Sequence, residues 1–252
     1  MQGHFLGCMP MMTKDKAQDA ARSAGWLSQQ SAAFQDDLLA RCLLRHYADK
    51  ETICNVGDPH HGIYALVSGV LRVELSTLGE DYRIASVKQP VFWFGEGASL
   101  ARSTFYVTIT AASPASLLFL PHHEFERLIE NPAYCRAFSV LMIEHFDEAT
   151  RVIAQLLEGD VENRIAARLA LLAERSGPQR PHVIPVTQSD LAEMCGLSRP
   201  TVQQVLSTLE KRGFIRAGYR RLEVINPEAL VSRSKATAKA APSPPMAGKG
   251  ES

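Results

Sequence analysis

Apolar and polar residues alternate with different periods in different parts of the chain. Between Trp26 and Tyr47 the apolar positions recur at helical spacing, whereas residues 50 to 121 contain short β-rich runs separated by Gly, Asp, Pro and Ser. Helical spacing returns at His122 and dominates the rest of the patterned chain. We therefore predict an α+β protein in which an antiparallel β barrel or sandwich is followed by helices.

The longest predicted helix, at residues 132–157, has two apolar faces. One has alternating spacings of four and three residues, as in a heptad repeat, and the other lies next to it. We predict that one face packs on the barrel of its own chain and the other on a partner, with the heptad-like face as the dimer seam; a single wide core stripe is the alternative. The seam comprises Phe138, Met142, His145, Ala149, Val152 and Leu156, and the second face Leu141, Ile143, Phe146, Ile153 and Leu157.

Residues 187–215 predict two short helices joined by a turn. Thr187 and Ser198 are candidate N-caps, and Gly196 supplies the turn between the helices. Apolar residues back the second helix, so its polar side chains face outward. Arg and Gln can form bidentate hydrogen bonds with base edges in the DNA major groove. An ordinary helical hairpin with a solvated face is the alternative. The base-reading candidates are Arg199, Gln203 and Gln204.

Local charge favours the DNA-binding interpretation. Between Cys195 and Arg221 there are six basic residues and one acidic residue, a net of five positive charges. The following run FIRAGYRRLEVI alternates around Gly218 like a β-hairpin, which would form a wing beside the second helix. Basic residues on a wing neutralise backbone phosphates. The phosphate-contact candidates are Gln188, Ser198, Thr201, Arg220 and Arg221.

Composition excludes several classes of protein. The chain has 252 residues, 46% of them hydrophobic, and a formal net charge of zero, so only the local distribution of charge indicates a partner. It has no run of about 18 apolar residues, no signal-peptide pattern and no C-x-x-C pair among its five cysteines. We expect a cytoplasmic protein without a metal ribbon or a membrane segment, and the absence of common catalytic motifs argues against an enzyme.

Six short motifs in four regions identify a family. They are GD at 57–58 with IYALVSG at 63–69, WFGE at 93–96, DVENRI at 160–165, and SRPTV at 198–202 with LEKRGFI at 209–215. In this order they resemble the Crp/Fnr family of bacterial transcription regulators, and the resemblance covers roughly residues 25–230. It implies a homodimer whose subunits each have an antiparallel β jelly-roll sensor (a double-stranded β-helix), a long dimerisation helix and a C-terminal winged helix-turn-helix.

The resemblance and the composition together predict five segments. Gly159 and Asp160 are the expected hinge between the long helix and the DNA-binding domain, and they would change the angle of that domain when the sensor responds. The lysine-, serine- and proline-rich C-terminus has too little apolar content to fold. The segments are a flexible tail at 1–24, the sensor barrel at 25–130, the dimerisation helix at 131–158, the winged helix-turn-helix at 159–231 and a disordered tail at 232–252.

The candidate effector pocket differs from that of cyclic-nucleotide members of the family. Those members place a Glu on the ribose and, about ten residues later, an Arg and a small hydroxyl residue on the phosphate. Glu96 matches the first position, but Tyr106 and Val107 stand where the Arg and the hydroxyl are needed, and a buried phosphate without a cation is costly. Arg102 and Ser103 are a substitute if the loop is shorter. We expect an unidentified effector other than a cyclic nucleotide.

Two other sensing cofactors known in the family also fit poorly. An iron–sulfur cluster needs several cysteine ligands near the N-terminus, where only Cys8 is present. Haem would need axial histidines, and the pairs at 60–61 and 122–123 and His145 are more simply explained as surface or satisfied side chains.

As partners we expect double-stranded DNA, a second copy of the chain and RNA polymerase, but no membrane. Because a two-fold symmetric dimer presents two recognition helices about 34 Å apart, the operator should be an inverted repeat. The alternative function is a ligand-binding regulatory barrel that acts through protein partners rather than DNA.

Overall fold

The computed structural model describes residues 12–77, 81–174 and 181–230. Its helices are α1 (Lys14–Ser23), α2 (Gly25–Ser28), α3 (Ala32–Arg41), α4 (Glu96–Ala101), α5 (His122–Ile129), α6 (Pro132–Leu156), α7 (Val161–Glu174), α8 (Gln188–Cys195) and α9 (Arg199–Lys211). Its strands are β1 (Leu43–Tyr47), β2 (Thr52–Cys54), β3 (Gly62–Ser68), β4 (Leu71–Ser76), β5 (Tyr82–Lys88), β6 (Phe92–Phe94), β7 (Thr108–Ala111), β8 (Ala115–Pro121), β9 (His182–Ile184), β10 (Ile215–Gly218) and β11 (Arg221–Val224).

Strands β1 to β8 form two packed antiparallel sheets, which we call the sensor barrel. One sheet has the order β1-β8-β3-β6 and the other β2-β7-β4-β5, so that β5 lies at an edge. Strands β3 and β8 are buried almost throughout, because helices cover one face of their sheet and the second sheet covers the other. This accounts for their continuous apolar sequences. The jelly-roll fold and the α+β class predicted from the sequence are confirmed.

Aromatic side chains join α6 to the helices that cover the barrel. The ring of Phe138 packs against Trp26, Phe34 and Phe125, with centroid distances between 5.0 and 5.5 Å. The indole Nε1 of Trp26 donates a hydrogen bond of 2.9 Å to the backbone carbonyl of Ala137. The first turns of α6 are therefore part of the core of their own domain.

The predicted flexible tail at 1–24 is wrong for its described part. Residues 14–23 form α1, whose Ala17 and Ala21 are fully buried against the barrel. Thr13 caps this helix by accepting a hydrogen bond from the Lys16 amide. Small alanines in a polar segment give a weak periodic signal, although they allow close packing. Residues 1–11, and the tail expected at 232–252, lie outside the described residues.

The helical pattern between Trp26 and Tyr47 also ends earlier than we expected. The helix stops at Arg41, and Leu43–Tyr47 is strand β1, which pairs antiparallel with β8. The sequence of β1 is LLRHY, so only the pairing partner distinguishes it from the end of a helix.

The C-terminal elements α7 to α9 and β9 to β11 form a second domain, which we call the head. Its strands make a sheet of order β10-β11-β9, and its apolar core includes Ile165, Leu191 and Val202. The same core continues into the sensor barrel through Ile84 and Val87 of β5. The head therefore packs directly against one edge of the barrel.

Polar contacts accompany this apolar contact between head and barrel. The Glu193 carboxylate on α8 accepts a hydrogen bond of 3.2 Å from the backbone N–H of Ile84. Asp190 of α8 pairs with Arg72 of β4 at 3.1 Å. Arg168 of α7, which is almost fully buried, donates to the carbonyl oxygen of Ala85. The head thus binds two backbone groups of β5, the N–H of Ile84 and the carbonyl of Ala85.

Candidate nucleic-acid interface and effector cavity

Helices α8 and α9 begin and end where the sequence predicts. The Thr187 hydroxyl accepts a hydrogen bond from the Asp190 amide at 3.1 Å, and the Asp190 carboxylate accepts one from the Thr187 amide at 2.9 Å, which completes a capping box. Gly196 ends α8 with φ of 62°, a conformation that favours glycine. Ser198 then accepts from the Thr201 amide at 3.3 Å and caps α9. The predicted caps are confirmed.

Helix α9 is amphipathic. Val202, Leu206 and Leu209 are buried in the core of the head, and this fixes which side of the helix faces outward. The base-reading candidates Arg199, Gln203 and Gln204 are all exposed, Arg199 at the first residue of the helix. Within the described residues, none of these three side chains has an ion pair or a side-chain hydrogen bond. They are available to an external partner.

The phosphate-contact candidates lie around this surface, and they differ in burial and in the contacts that they already make within the protein. Ser198 and Thr201 share a hydrogen bond of 2.7 Å between their hydroxyls, and Gln188 is half-buried at the start of α8. Arg221 lies at the start of β11 and contacts Glu223 at 3.5 Å. Arg220 forms the tip of the wing, where it has φ of 53°.

The positive charge counted from the sequence is partly neutralised in the folded head. Arg212 pairs with Glu162 of α7, and Arg216 pairs with Glu223 at 3.1 Å. Both acidic partners lie outside the segment that was counted, so a local count misses them. Arg199, Lys211 and Arg220 have no acidic partner within the described part of the chain, and they carry the remaining positive charge.

The wing tip also faces the sensor barrel. Arg220 and Thr187 border a cleft of about 330 Å³ between head and barrel, together with Asp49 of the barrel. The backbone between β10 and β11 positions this arginine by a two-residue turn, as the alternation around Gly218 predicts. Its contact with DNA phosphate stays a prediction.

A second site lies between the sensor barrel and α6, and we call it the cavity. It has a volume of about 450 Å³ and is lined mainly by apolar side chains from β4 to β7, the loop before β7, and α6. Its charged and titratable lining residues are Lys88, Glu96, His145 and Glu148. Lys88 and Glu148 form a buried ion pair. No arginine is present among the described residues that line the cavity.

Three of the five predicted pocket residues line this cavity. Glu96, Tyr106 and Val107 do so, although Tyr106 is exposed and lies at the rim. Arg102 and Ser103 do not: the Arg102 side chain is mostly exposed and pairs with Glu126 at 3.0 Å, outside the cavity. The suggestion that Arg102 and Ser103 replace the missing phosphate ligands is therefore wrong: Arg102 ends α4 in a left-handed conformation, and its side chain pairs with Glu126 outside the cavity.

A second polar contact in the cavity joins Glu96 to His145. The Glu96 carboxylate is almost fully buried, and its Oε1 lies 2.8 Å from Nδ1 of His145 on α6. Glu96 Oε2 has no hydrogen-bond partner among the described residues. The His145 ring stacks obliquely on Phe92 at 5.4 Å between centroids. Sequence reasoning placed Glu96 in the pocket but missed this contact, and it placed His145 on the dimer seam.

Helix α6 presents its two apolar faces differently from the prediction. Phe138 is fully buried in its own sensor domain and is wrong as a seam residue, whereas Ala149 and Val152 line the cavity. Met142 and Leu156 are partly exposed at the border. Most of the exposed apolar side chains belong to the second predicted face, and Val140 lies next to them. We call Val140, Ile143, Phe146, Ile153 and Leu157 the outer face of α6; Ile153 also contributes to the lining of the cavity.

Lys88 and Glu148 were also missed by sequence reasoning. A charged residue that interrupts an apolar stripe is a signal that could have found Glu148, since it lies one turn beyond His145 on α6. Its partner Lys88 is 60 residues away at the end of β5, and only the folded chain brings the two together.

The predicted hinge residues lie between α6 and α7. The Asp160 carboxylate accepts a hydrogen bond of 2.8 Å from the Asn163 amide and so caps α7. Gly159 has open space around the position of a Cβ atom. Arg164 secures the same turn by donating to the Glu158 carbonyl at 2.7 Å. Their function as a hinge stays a prediction.

Cysteine and histidine side chains are mostly structural. Cys195 is buried at the end of α8, and burial raises the pKa of its thiol to about 11, which suits a small core residue. His60 and His122 lie 3.3 Å apart between their Nε2 atoms, and burial lowers the pKa of His122. No group of three metal-binding side chains occurs among residues 12–77, 81–174 and 181–230, and within the same ranges no helix has the length and hydropathy of a membrane span.

Two domain families match the chain. Residues 44–131 match the cyclic nucleotide-binding domain family, and residues 163–233 match the Crp-like helix-turn-helix domain family. The first match falls on the sensor barrel and the second on the head.

Several curated proteins are similar to most of the chain. The "Cyclic AMP receptor protein" of Thermus thermophilus is 29% identical over 182 residues, which is 71% of this chain and 82% of that protein. The "cAMP-activated global transcriptional regulator CRP" of Pasteurella multocida is 27% identical over 71% of this chain and 88% of its own length. The "Transcriptional regulator SdrP" of Thermus thermophilus is 26% identical over 69% and 85%.

Solved structures share the fold. FixK2 from Bradyrhizobium japonicum superposes with a TM-score of 0.67 at 18% identity and covers 76% of this chain and 96% of its own. The "c-di-GMP Responsive Global Regulator CLP" of Xanthomonas campestris has a TM-score of 0.61 at 20% identity and covers 78% and 100%.

Proposed function

The chain belongs to the Crp/Fnr family of transcription regulators, and from this premise we propose that it binds an inverted-repeat DNA operator as a homodimer. The observation that carries the proposal is the polar side of α9. There Arg199, Gln203 and Gln204 are exposed and without side-chain partners among the described residues, on a helix that is capped and apolar behind. This geometry suits insertion into a major groove, where Arg pairs with guanine and Gln with adenine.

The outer face of α6 supports a dimer. Phe146 is 69% exposed and Leu157 is 80% exposed, and with Ile143 and Ile153 they recur at spacings of three, seven and four residues. Such a row on a long helix buries its apolar area most readily against the same row of a second copy. We assign the dimer interface to this face, with Met142 and Leu156 at its border. A parallel pair of α6 helices would place the two heads side by side.

We further propose that the protein is not an enzyme and that RNA polymerase is its partner in transcription. The charged side chains of the cavity contact one another in the pairs Glu96–His145 and Lys88–Glu148, and the polar groups of α9 are spread along an exposed helix. Regulators of this class change transcription by recruiting or blocking the polymerase at the site where they bind DNA. The exposed surface of a DNA-bound dimer is sufficient for this role.

The cavity supports an effector other than a cyclic nucleotide. Tyr106 and Val107 occupy the positions where the phosphate would need a cation and a hydroxyl, and Arg102 points away from the cavity. Lys88 is committed to Glu148 in a buried ion pair. A cyclic phosphate would therefore lose its water without gaining a compensating cation.

Selection of bound sites from random duplex DNA by the purified full chain tests the proposed function. We expect an inverted repeat whose half-sites are centred about one helical turn apart. Analytical ultracentrifugation should show a dimer that Phe146→Glu dissociates, with loss of operator binding. Tyr82→Glu, the same type of change at an exposed aromatic residue of the barrel, is the matched control. A monomer that binds no duplex at low salt would favour the alternative, a regulatory barrel acting through protein partners.

A further inference from the structure

We propose that the cavity binds an uncharged, largely apolar molecule that donates one hydrogen bond, from a hydroxyl or an N–H group, to Nε2 of His145. Glu96 is the positioning residue that orients this histidine. The proposal rests on the proposed function only in treating the bound molecule as an effector of DNA binding. It differs from nucleotide recognition, because the polar contact is made by the long helix and not by the barrel.

The volume and lining of the cavity indicate the size and polarity of the main part of the ligand. The volume of about 450 Å³ suits a small organic molecule, and the walls include Phe92, Phe94, Phe105, Val73 and Ile109. The mixture of aromatic and aliphatic side chains favours an apolar body. Polar substituents would meet few hydrogen-bond partners on these walls.

The charged side chains of the cavity indicate that the ligand carries no negative charge. Glu96 and Glu148 contribute two carboxylates, and Lys88 contributes one cation that is already paired with Glu148. The described lining residues therefore offer an anionic ligand no cation that is not already paired with a carboxylate. An anionic ligand would lose its water without gaining a compensating cation.

The contact between Glu96 and His145 determines the polar group of the ligand. In the neutral form of the ring, a carboxylate oxygen 2.8 Å from Nδ1 favours the proton on that nitrogen and leaves Nε2 as the hydrogen-bond acceptor. Among the described residues Nε2 has no partner, although its ring is only 27% exposed and lines the cavity. Glu96 makes no other polar contact within that part of the chain, since its Oε2 is buried without a partner.

Two fluorescent probes of nearly equal shape test this assignment. N-phenyl-1-naphthylamine is uncharged and apolar and has one N–H donor, whereas 1-phenoxynaphthalene replaces that N–H with an ether oxygen. Titrated into the full chain, the amine should bind at one molecule per chain and at least about fivefold more tightly than the ether, as expected for the loss of one hydrogen bond. Equal affinities, or displacement of the amine by an equal concentration of cyclic AMP, would overturn the proposal.

Variants separate the role of each residue. His145→Phe keeps an aromatic ring against Phe92 but removes the acceptor, so the preference for the amine should disappear while the ether still binds. Glu96→Gln should reduce the same preference, because a neutral amide no longer fixes the proton on Nδ1. A merely structural role of Glu96 would weaken both probes equally. Glu130→Gln, at an exposed position on α5's C-terminal turn, should change neither affinity.

A cavity-filling variant locates the probe. Gly97 lines the cavity, and an added Cβ atom there meets no atom within 4 Å. Gly97→Phe should therefore fold, with an unchanged circular dichroism spectrum, and lose both probes. Retained binding would place the probes elsewhere, for example on the outer face of α6, and would overturn the assignment. A chain that binds the amine selectively but no duplex DNA would refute the proposed function and leave the cavity assignment intact.

Discussion

The head and the sensor domain use their polar residues in opposite ways. In the head, Arg199, Gln203 and Gln204 project from one helix into solvent without side-chain partners in the described structure. In the sensor domain the charged groups of the cavity are buried and contact one another across 49 and 60 residues of sequence. A surface that meets a charged polymer can leave its groups open to water, whereas a buried site pairs most of its charged groups within the protein.

The largest expected effect separates the two faces of α6 within the sensor domain. Phe138→Ala should lower the free energy of unfolding by about 3–5 kcal/mol, because it empties a fully buried aromatic site. Phe146→Ala, one face further round the same helix, should change the stability of the subunit far less and weaken dimerisation instead. Chemical denaturation and sedimentation measure the two effects. A similar loss of stability in both variants would contradict the assignment of the faces.

In the head, Arg199→Ala should cost about 1–3 kcal/mol of operator binding and relax the preference at one base pair of each half-site. The reason is the loss of a bidentate contact with a base edge. Comparison of binding-site preferences for the wild type and the variant checks this. Arg216→Ala is the control, since that arginine is paired with Glu223; an unchanged preference in Arg199→Ala would remove the residue from the base-reading set.

A smaller effect is expected for the wing. Arg220→Ala should weaken binding to all duplex sequences by a similar factor and reduce the slope of log K against log salt by about one, as expected for a single phosphate contact. Titrations of specific and unrelated duplexes at several salt concentrations measure both. A loss confined to the operator would mean that Arg220 reads bases.

The smallest effect concerns the boundary between the two domains. Glu193→Ala removes the acceptor of the Ile84 amide and should speed hydrogen exchange at that amide about fivefold, the equivalent of about 1 kcal/mol. The amide of Leu66 in the buried strand β3 should keep its protection and serves as the internal control. Unchanged exchange at Ile84 would show that its protection comes from packing alone.

The head could be predicted from the sequence more fully than the sensor domain. The caps at Thr187 and Ser198, the turn at Gly196 and the outward position of Arg199 depend on residues a few positions apart, so spacing was enough to find them. Residues 14–23 were missed because their buried side chains are alanines. Phe138 was assigned to the dimer seam because it fits the heptad-like spacing, and only its packing against Trp26 shows that it belongs to the subunit core.

Charge was also harder to predict than position. The local count of positive residues omitted Glu162 and Glu223, which neutralise Arg212 and Arg216 in the folded head. The contact of Glu96 with His145 joins a short helix after β6 to the middle of α6, and no periodicity in either segment indicates the other.

The edge position of β5 limits how far the head can move. An open strand edge exposes backbone N–H and C=O groups that pair readily with other chains and lead to aggregation. Glu193 and Arg168 occupy such groups at Ile84 and Ala85, so the head also shields the barrel from self-association. A truncated chain that ends after α6 should therefore be less soluble than the full chain. A movement of the head that exposes the edge of β5 would require another part of the protein or a partner to cover it.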